Sequence, residues 1–467
     1  MTDEYFNSKE FKHILAEYEE SEKTGQPVFL DADDFTDIAE YYHNMGDMQK
    51  ATEVINLAAS MHPGAAAPLI FKARVALLKQ DNPRLADEIA EQISDKTDLD
   101  YYYIKAEIMI AEDRIEEANA YLEEKYECID DVEQEDYILD VVTLFIDYEL
   151  LDEANEWIQR AEETDSLDYK ELMGRILMGK GKYSESEQLF NELLDQNPYS
   201  THYWNYLASL QLMSNHIEDS ITSSEYSIAI NPNDDEALLN KANALFSLGN
   251  FEEALDYYQR FTKLRPDEDA GEMYQGIALL SMNRLEEAVE HLKKAEQLSG
   301  DTSPNHVEIC QELAFTLSRL HRMDEALMYV NLTDTLVCDH DEMMVLRGHV
   351  LLENGQYEEA QRCFSEAVKS SSASPHIYLR IAISVYDNGY NKLAYKMFAI
   401  LLNSVDDKWY EGYSYMALCC KDLGKRNEYL KYLKKACQLN PWEARTVLGE
   451  YFPPEMPPEE YYNYETK

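Results

Sequence analysis

The sequence predicts an all-α fold made of tandem pairs of short helices. Its 467 residues include only 16 Gly and 14 Pro, too few to supply the many turns of a strand-rich protein. Apolar residues recur at helical spacing, as in residues 235–266, where Leu238, Ala242 and Leu245 share one helix face. After Gly249 a second helix repeats this spacing, so the segment predicts two antiparallel helices joined by a short turn.

The same two-helix pattern recurs along the chain. A small residue opens the second helix of almost every pair, and successive marks are 32 to 38 residues apart, most often 34. A small side chain here lets the two helix backbones approach each other, and each pair needs a neighbour to cover its apolar face. The marks are Ala51, Ala86, Ala118, Ala154, Ser186, Ser220, Ala254, Ala288, Ala326, Ala360, Ala394 and, in the last pair, Tyr429.

These repeats resemble the tetratricopeptide repeat (TPR) family, whose period is 34 residues. The resemblance implies a right-handed α-solenoid of about twelve helix-turn-helix repeats over residues 32–442. Outside them we expect an N-terminal capping helix in residues 1–31, and a C-terminal capping helix with a Pro-, Glu- and Tyr-rich tail in residues 443–467. Repeats two to four depart most from the pattern. Arg74 is one register out of phase, and repeats three and four lack the usual Tyr and Gly.

The chain is strongly acidic, with 41 Lys and Arg against 91 Asp and Glu and a net charge of −50. Such a surface repels nucleic-acid backbones and anionic membranes, so we expect neither as a partner. A basic protein or peptide is the natural counterpart, although the charge also explains solubility alone. No membrane-length apolar run and no signal-peptide pattern is found, and the seven cysteines include no C-x-x-C pair. We therefore expect a cytoplasmic protein with reduced thiols.

The sequence contains no catalytic or metal-binding motif of the types H-E-x-x-H, G-x-S-x-G or C-x-x-C. The repeats occupy nearly the whole chain and leave no room for a separate catalytic domain. We therefore predict no enzyme activity, no cofactor and no metal site, and a scaffold or adaptor that binds a protein segment. Two alternatives remain open: a self-assembling structural protein, and an accessory subunit of an enzyme complex.

In TPR proteins the first helix of each repeat lines a concave groove, and the resemblance places the candidate peptide-binding residues on the first helices of repeats six to eight. Asparagine offers both a donor and an acceptor, and aromatic rings supply rigid contact area. The carboxylate-clamp subgroup of the family is disfavoured, because repeat one has Thr36, Asp37 and Glu40 where that clamp needs basic and amide residues. An unoccupied helix face would show the same residues. The predicted groove residues are His202, Asn205, Tyr206, Asn240, Asn243, Phe246 and Tyr274.

Charge is distributed unevenly along the chain. Residues 31–40 hold five acids and no base, residues 127–140 hold seven acids and no base, and residues 421–435 hold six bases against two acids. The acidic segments are expected to attract a basic partner, or the basic end of another copy in the self-assembly alternative; charge runs also occur simply as solvated faces. The predicted acidic partner surface consists of Asp33, Asp37, Glu40, Asp130, Asp131, Asp136 and Asp140.

Overall fold

The computed structural model describes residues 3–6, 8–25, 28–300, 303–333, 339–406, 408–453 and 456–466. Within these ranges the regular structure is helical and contains no strand, so the predicted all-α repeat fold is confirmed. The chain divides into two compact units, Met1–Pro198 and Tyr199–Lys467. Across the described ranges, no helix combines the length and the apolar character that a bilayer crossing requires.

The first unit consists of two leading helices and five helical pairs. The leading helices are α1 (Asp3–Phe6) and α2 (Lys9–Thr24). The pairs are α3 (Ala32–Asn44) with α4 (Met48–Met61), α5 (Ala66–Leu78) with α6 (Pro83–Ala90), α7 (Leu99–Ala111) with α8 (Ile115–Tyr126), α9 (Gln134–Asp147) with α10 (Leu151–Ile158), and α11 (Leu167–Gly179) with α12 (Tyr183–Gln196).

The second unit consists of seven pairs and a closing segment. The pairs are α13 (Thr201–Met213) with α14 (Ile217–Ile230), α15 (Asp235–Ser247) with α16 (Phe251–Leu264), α17 (Asp269–Ser281) with α18 (Leu285–Ser299), α19 (His306–Arg319) with α20 (Met323–Thr333), α21 (His340–Glu353) with α22 (Tyr357–Ser370), α23 (Pro375–Asp387) with α24 (Asn391–Ser404), and α25 (Tyr413–Asp422) with α26 (Arg426–Leu439). The closing segment is α27 (Pro441–Leu448), a 3₁₀ turn (Gly449–Tyr451) and α28 (Pro458–Thr466).

All twelve predicted marks lie inside the contact between the two helices of their pair. Each of these residues is at most 1% exposed. The two serines also satisfy their hydroxyls there: Ser186 Oγ donates to the Gly174 carbonyl and Ser220 Oγ to the Ala208 carbonyl, each at 2.7 Å. The small residue therefore marks the closest approach of the two helices, as its spacing predicts.

The turn inside each helical pair contains one residue with a left-handed backbone, which reverses the chain after the first helix. Glycine suits this conformation because it has no Cβ, as at Gly249 with φ 82°. Repeats three and four, which lack the usual glycine, make the same turn with Asp113 and Glu149 at φ 59° and 58°. Repeats three and four therefore have a different residue at this position but the same turn geometry.

The first helices of neighbouring repeats lie against one another. In the first unit α3 contacts α5, α5 contacts α7, α7 contacts α9 and α9 contacts α11; in the second unit α19 contacts α21 and α21 contacts α23. Within each unit a second helix that is followed by another repeat packs between two first helices, as α14 does between α13 and α15. Because neighbouring first helices contact each other more than neighbouring second helices do, we assign the first helices to the inner, concave side of each unit.

Helices outside the pairs cover both ends of the repeat array. Helix α2 buries Phe11 and Tyr18 in the apolar cluster of the first repeat. At the other end Tyr461 of α28 is 2% exposed in the apolar cluster of the last repeats. Glu443 of α27 accepts hydrogen bonds from the Gly412 and Ser414 amides at 2.8 and 3.1 Å, which supplies the free N–H groups at the start of α25 with an acceptor.

Candidate protein-binding surfaces

The concave side of the first unit is predominantly acidic. A cavity of about 410 Å³ opens there between α3, α5 and α7, with Glu40, Arg74 and Asp100 in its wall. The surface continues onto α9, where Asp140 accepts a hydrogen bond from Tyr103 Oη at 3.0 Å. We call this surface the acidic face. Its members are Asp33, Asp37, Glu40, Asp100, Asp136 and Asp140, together with Arg74 and Glu107.

The carboxyls of the acidic face hold their protons more tightly than free carboxyls do. Burial raises the pKa values of Asp37, Glu40, Asp100 and Asp140, and neighbouring acids raise them further. Asp37 also accepts a hydrogen bond from Tyr5 Oη, which offsets part of this effect. The ionised face is therefore under mutual repulsion, and a cation placed on it would relieve that repulsion.

Arg74 lies within the acidic face and is bound to one carboxylate. Its Nη2 donates to Glu107 Oε1 at 2.7 Å and its Nε lies 3.1 and 3.2 Å from the two carboxylate oxygens. Glu107 is buried, whereas the Arg74 side chain is 48% exposed. Sequence reasoning noted Arg74 only as an irregular register and did not identify Asp100 or Glu107. The shift of Arg74 by one position relative to the repeat pattern is the feature of the sequence that could have indicated a charged residue facing the groove.

Asp130 and Asp131, predicted as part of the acidic surface, lie elsewhere. Both are exposed in the connection between α8 and α9. Asp136 and Asp140, by contrast, lie on α9 itself. The predicted acidic run is therefore divided, and only its helical half belongs to a first helix.

In the second unit, two of the predicted groove amides are committed to contacts within the chain. Asn205 and Asn240 are 3% and 8% exposed. Asn205 Nδ2 donates to the Asp234 carboxylate oxygens at 3.0 and 3.2 Å, and Asn240 Nδ2 donates to the Asn205 carbonyl at 3.3 Å. Ser209 Oγ donates to Asn240 Oδ1 at 3.1 Å. These amides join repeats six and seven, which differs from the expectation that they are free for a peptide.

The other predicted groove residues are more accessible. His202 is exposed and its ring meets Tyr206 edge-on with centroids 4.7 Å apart. Tyr274 is partly exposed and stacks on Tyr258 at 5.3 Å, while Tyr258 Oη donates to Asn243 Oδ1 at 2.7 Å. Phe246 is also partly exposed, with its ring 5.1 Å from Phe251. The accessible surface here is therefore aromatic, and Asn243 beside it is held by the hydrogen bond from Tyr258.

Part of the basic segment near the C-terminus contacts the chain's own last helix. Arg426 of α26 forms an ion pair with Glu465 of α28 at 2.5 Å, and Tyr429 Oη donates to the same carboxylate at 3.2 Å. Lys421 lies 3.0 Å from the centre of the Tyr451 ring. The cations of this segment are thus partly neutralised or shielded within the chain. No group of three or more metal-ligating side chains in the described ranges is arranged to hold a metal ion.

The comparison with known families agrees with the repeat geometry. The family model of the tetratricopeptide repeat matches residues 239–302 and 345–394. These two segments match the tetratricopeptide repeat family. The matched segments lie in the second unit, across most of α15–α18 and across parts of α21–α24. The predicted TPR resemblance is confirmed.

Several solved structures are similar to this TPR chain. They include the APC/C hetero-tetramer Cut9–Hcn1, with 15% identity over 85% of this chain and 91% of that chain and a TM-score of 0.41. A TPR protein from Parabacteroides merdae ATCC 43184 shares 16% identity over 54% and 98% of the two chains, with a TM-score of 0.42. MamA from Desulfovibrio magneticus RS-1 shares 16% identity over 36% and 94%, with a TM-score of 0.33. No curated protein sequence matches the chain.

Proposed function

We propose that this TPR protein is a non-catalytic scaffold whose acidic face binds a basic, extended segment of a partner protein. The observation that carries the proposal is the run of carboxyls with raised pKa on first helices α3, α7 and α9, among which Arg74 is already paired with Glu107. A segment with alternating basic residues would neutralise several of these carboxyls at once. The face carries many negative charges and few positive ones, so the ligand that complements it is a basic segment.

The strength of such binding depends on many weak contacts acting together. A single exposed ion pair contributes about 0–1 kcal/mol, so one carboxylate alone is too weak to bind a partner segment. Screening limits each contact to about 8 Å at physiological salt, so binding should weaken steeply as salt rises. Charge of this kind mainly accelerates encounter between the partners.

On the second unit, the accessible aromatic residues His202, Tyr206, Phe246 and Tyr274 are proposed to add contact area for a protein segment. Aromatic side chains bury a large surface at low entropic cost, which suits a peptide groove. Asn243 faces the same region, although Tyr258 already donates to its Oδ1. We assign Asn205 and Asn240 to the structure of the groove wall, because their amides bond to neighbouring residues.

Self-assembly through an acidic front and a basic end is the less supported alternative. That mode requires the cations of α26 to be available to a second copy. Arg426 is instead paired with Glu465 of the same chain, and α28 lies along α26. A second copy would have to break the Arg426–Glu465 pair to use Arg426, although Lys431, Lys434 and Lys435 are exposed.

We propose a cytoplasmic location for the scaffold. Cys310, Cys419, Cys420 and Cys437 are buried free thiols. Burial raises the pKa of Cys310 and Cys420 to about 11, so these thiols stay protonated and unreactive. Free, buried cysteines are typical of proteins kept in a reducing compartment.

The decisive experiment compares two triple charge reversals. One is Asp33→Lys, Asp37→Lys and Glu40→Lys on the acidic face. The matched control is Glu156→Lys, Glu185→Lys and Asp195→Lys, three exposed acids on second helices α10 and α12. Both variants change the net charge equally, so any difference between them reports position.

The probe is a fluorescein-labelled peptide of alternating lysine and serine, and its association rate is measured by stopped-flow anisotropy. We expect the acidic-face variant to slow association by about tenfold or more and the control to slow it much less. Equal effects in both variants would show that the protein attracts cations only through its total charge. Circular dichroism of each variant confirms that the helices are retained.

A further inference from the structure

A second cavity, in the second unit, is lined by chemistry that sequence reasoning did not identify. It has a volume of about 360 Å³ and opens on the concave side between α19, α21 and α23. These helices belong to repeats nine, ten and eleven. The residues that matter for its chemistry are Glu312, Phe315, Glu342, His349, Arg380 and Asp387.

His349 carries a buried ring nitrogen without a hydrogen-bond partner. The residue is 6% exposed, and its Nε2 has no hydrogen bond within the described part of the chain. The nearest carboxylate oxygen, Glu353 Oε2, lies 3.7 Å away, beyond hydrogen-bond distance. A buried polar group without a hydrogen bond costs free energy, so Nε2 is available to bond to a group that a ligand supplies.

The contacts of the other ring nitrogen, Nδ1, indicate which of the two nitrogens carries the proton of the neutral His349 ring. Asn388 Nδ2 donates to the Ser384 carbonyl at 2.9 Å and also lies 3.4 Å from His349 Nδ1. Ser384 Oγ lies 3.0 Å from the same nitrogen. Because an amide nitrogen can only donate, we assign Nδ1 as the acceptor and place the proton on Nε2. Burial lowers the pKa of His349, so the ring is neutral, and Nε2–H is a free donor.

The charges around the cavity do not balance. Glu353 accepts a hydrogen bond from Ser318 Oγ at 2.5 Å, and Arg319 donates to Asn283 Oδ1 at 2.8 Å. Arg380 Nε lies 4.0 Å from Glu342 Oε1. Five carboxyls face two guanidinium groups across the three helices. The carboxyls are Glu308, Glu312, Glu342, Glu353 and Asp387, and the cations are Arg319 and Arg380.

Three of these carboxyls, Glu308, Glu312 and Asp387, are left without a partner in the described ranges, and of these Glu312 and Asp387 line the cavity. Neither side chain has a hydrogen bond or an ion pair in the described ranges. Burial, reinforced by Glu308, raises the pKa of Glu312 to about 7. Burial likewise raises the pKa of Asp387 to about 6, against the opposing effect of Arg319. A ligand cation beside either carboxyl would favour its ionised form and so oppose the shift that burial causes.

The size of that cation follows from the geometry. The described carboxyl and imidazole groups do not converge as three ligands of one metal ion, so a monatomic cation has no coordination shell here. A guanidinium group is larger, planar and has five N–H donors in a fork. Phe315, whose ring centroid lies 5.1 Å from that of the buried His349, lines the cavity and offers an aromatic face of the kind on which guanidinium stacks.

We propose that this cavity binds an arginine side chain of a partner's basic segment. Glu312 and Asp387 receive the guanidinium, and His349 Nε2–H donates to a main-chain carbonyl of the same segment. The inference rests on the proposed function in one respect, namely that the ligand is a protein segment. It adds a residue preference and a second site, on the second unit, which the acidic face does not require.

The test uses a fluorescein-labelled peptide of alternating arginine and glycine with one benzoyl-phenylalanine cross-linker at its centre. Matched peptides replace arginine by lysine or by the uncharged isostere citrulline. The full chain is compared with the variant Glu312→Gln and Asp387→Asn. The control variant Glu358→Gln and Glu366→Gln removes two exposed carboxylates from the outer helix α22.

We expect the arginine peptide to cross-link to α19, α21 or α23. The cavity variant should weaken its binding by about tenfold, the worth of one charge-assisted contact, while the control variant should not. Lysine should bind more weakly than arginine, and citrulline should not bind. Affinity for arginine should rise between about pH 5.5 and pH 7.5, because Glu312 and Asp387 must ionise to hold the cation.

Two different failures are distinguishable. Cross-links confined to the first unit, or equal affinity of the cavity variant and the wild type, would overturn the cavity site and leave the acidic face standing. Equal binding of the arginine and citrulline peptides to the wild-type chain would contradict the cavity site and the basic-partner proposal together.

Discussion

Gly348 on α21 lies directly against the ring of Phe364 on α22. A Cβ at residue 348 would lie 2.9 Å from Phe364 Cζ and closer still to two other ring atoms. The two residues belong to the two helices of repeat ten, where Ala360 is 1% exposed. The absence of a side chain at Gly348 thus permits the ring to fill the space between the helices.

We expect Gly348→Ala to destabilise the protein, because overpacking costs about 1–3 kcal/mol and exceeds the gain of about 1 kcal/mol in helix propensity. Thermal unfolding followed by circular dichroism measures the change. The control is the same substitution in a Phe364→Leu background, where the smaller side chain should relieve most of the penalty. An equal penalty in both backgrounds would show that the ring does not cause it.

The amides of Asn205 and Asn240 yield a prediction about stability. Asn240→Ala should destabilise the fold by about 1–3 kcal/mol, because the buried Asn205 carbonyl and Ser209 hydroxyl lose their partner. His202→Ala, at an exposed position on α13, should change stability little while reducing peptide contact. Urea unfolding and peptide anisotropy separate the two effects. If Asn240→Ala weakened binding at unchanged stability, the amide would belong to the binding surface.

The raised pKa of Glu312 predicts how stability varies with pH. Burial and Glu308 raise it from 4.5 to about 7, so the folded chain holds this proton when the unfolded chain has lost it. The stabilising contribution is complete below about pH 4.5 and is lost as the pH rises through 7.

Glu312→Gln should therefore be more stable than the wild type at pH 8, on the order of 1–3 kcal/mol, and similar to it at pH 4. Glu358→Gln, at an exposed position, serves as the control and should show no such dependence. Melting temperatures across this pH range make the comparison. Parallel curves for the wild type and Glu312→Gln would contradict the assignment.

The closing helix α28 provides a prediction about the basic segment. Truncation after Pro453 removes buried Tyr461 and the Glu465 partner of Arg426, so we expect a lower melting temperature and stronger retention on a cation-exchange resin. Glu465→Gln separates the two effects, since it removes the ion pair but keeps the apolar contact. Unchanged retention of the truncated chain would show that α28 does not shield these cations.

Much of the fold could be predicted because its signal is local and repeated. The 34-residue spacing of small residues identified the contact of every helical pair, and each mark is buried. The turn in repeats three and four was less evident, because Asp113 and Glu149 adopt the left-handed backbone that glycine usually provides. An acidic residue in a turn does not by itself predict a left-handed backbone from the sequence.

The candidate sites were predicted only in part. Acid content selected Asp37, Glu40 and Asp140 as part of a predicted partner surface, because a run of like charge is visible in any window of sequence. It could not show that Arg74 pairs with Glu107, 33 residues away in the next repeat. Nor could it show that the amide of Asn205 faces Asp234, the residue that caps the next first helix.

The amino-acid order alone determines the helical pairs, their period and the overall charge, since helix periodicity and small-residue contacts act within a single repeat. The stacking of repeats decides which polar groups face one another. Glu312, His349 and Asp387 occupy three successive repeats and meet only when α19, α21 and α23 lie side by side. The stacking buries these groups and places other carboxyls beside them, Glu308 beside Glu312 and Glu353 beside Asp387, which leaves an imidazole nitrogen without a partner and carboxyls without a cation.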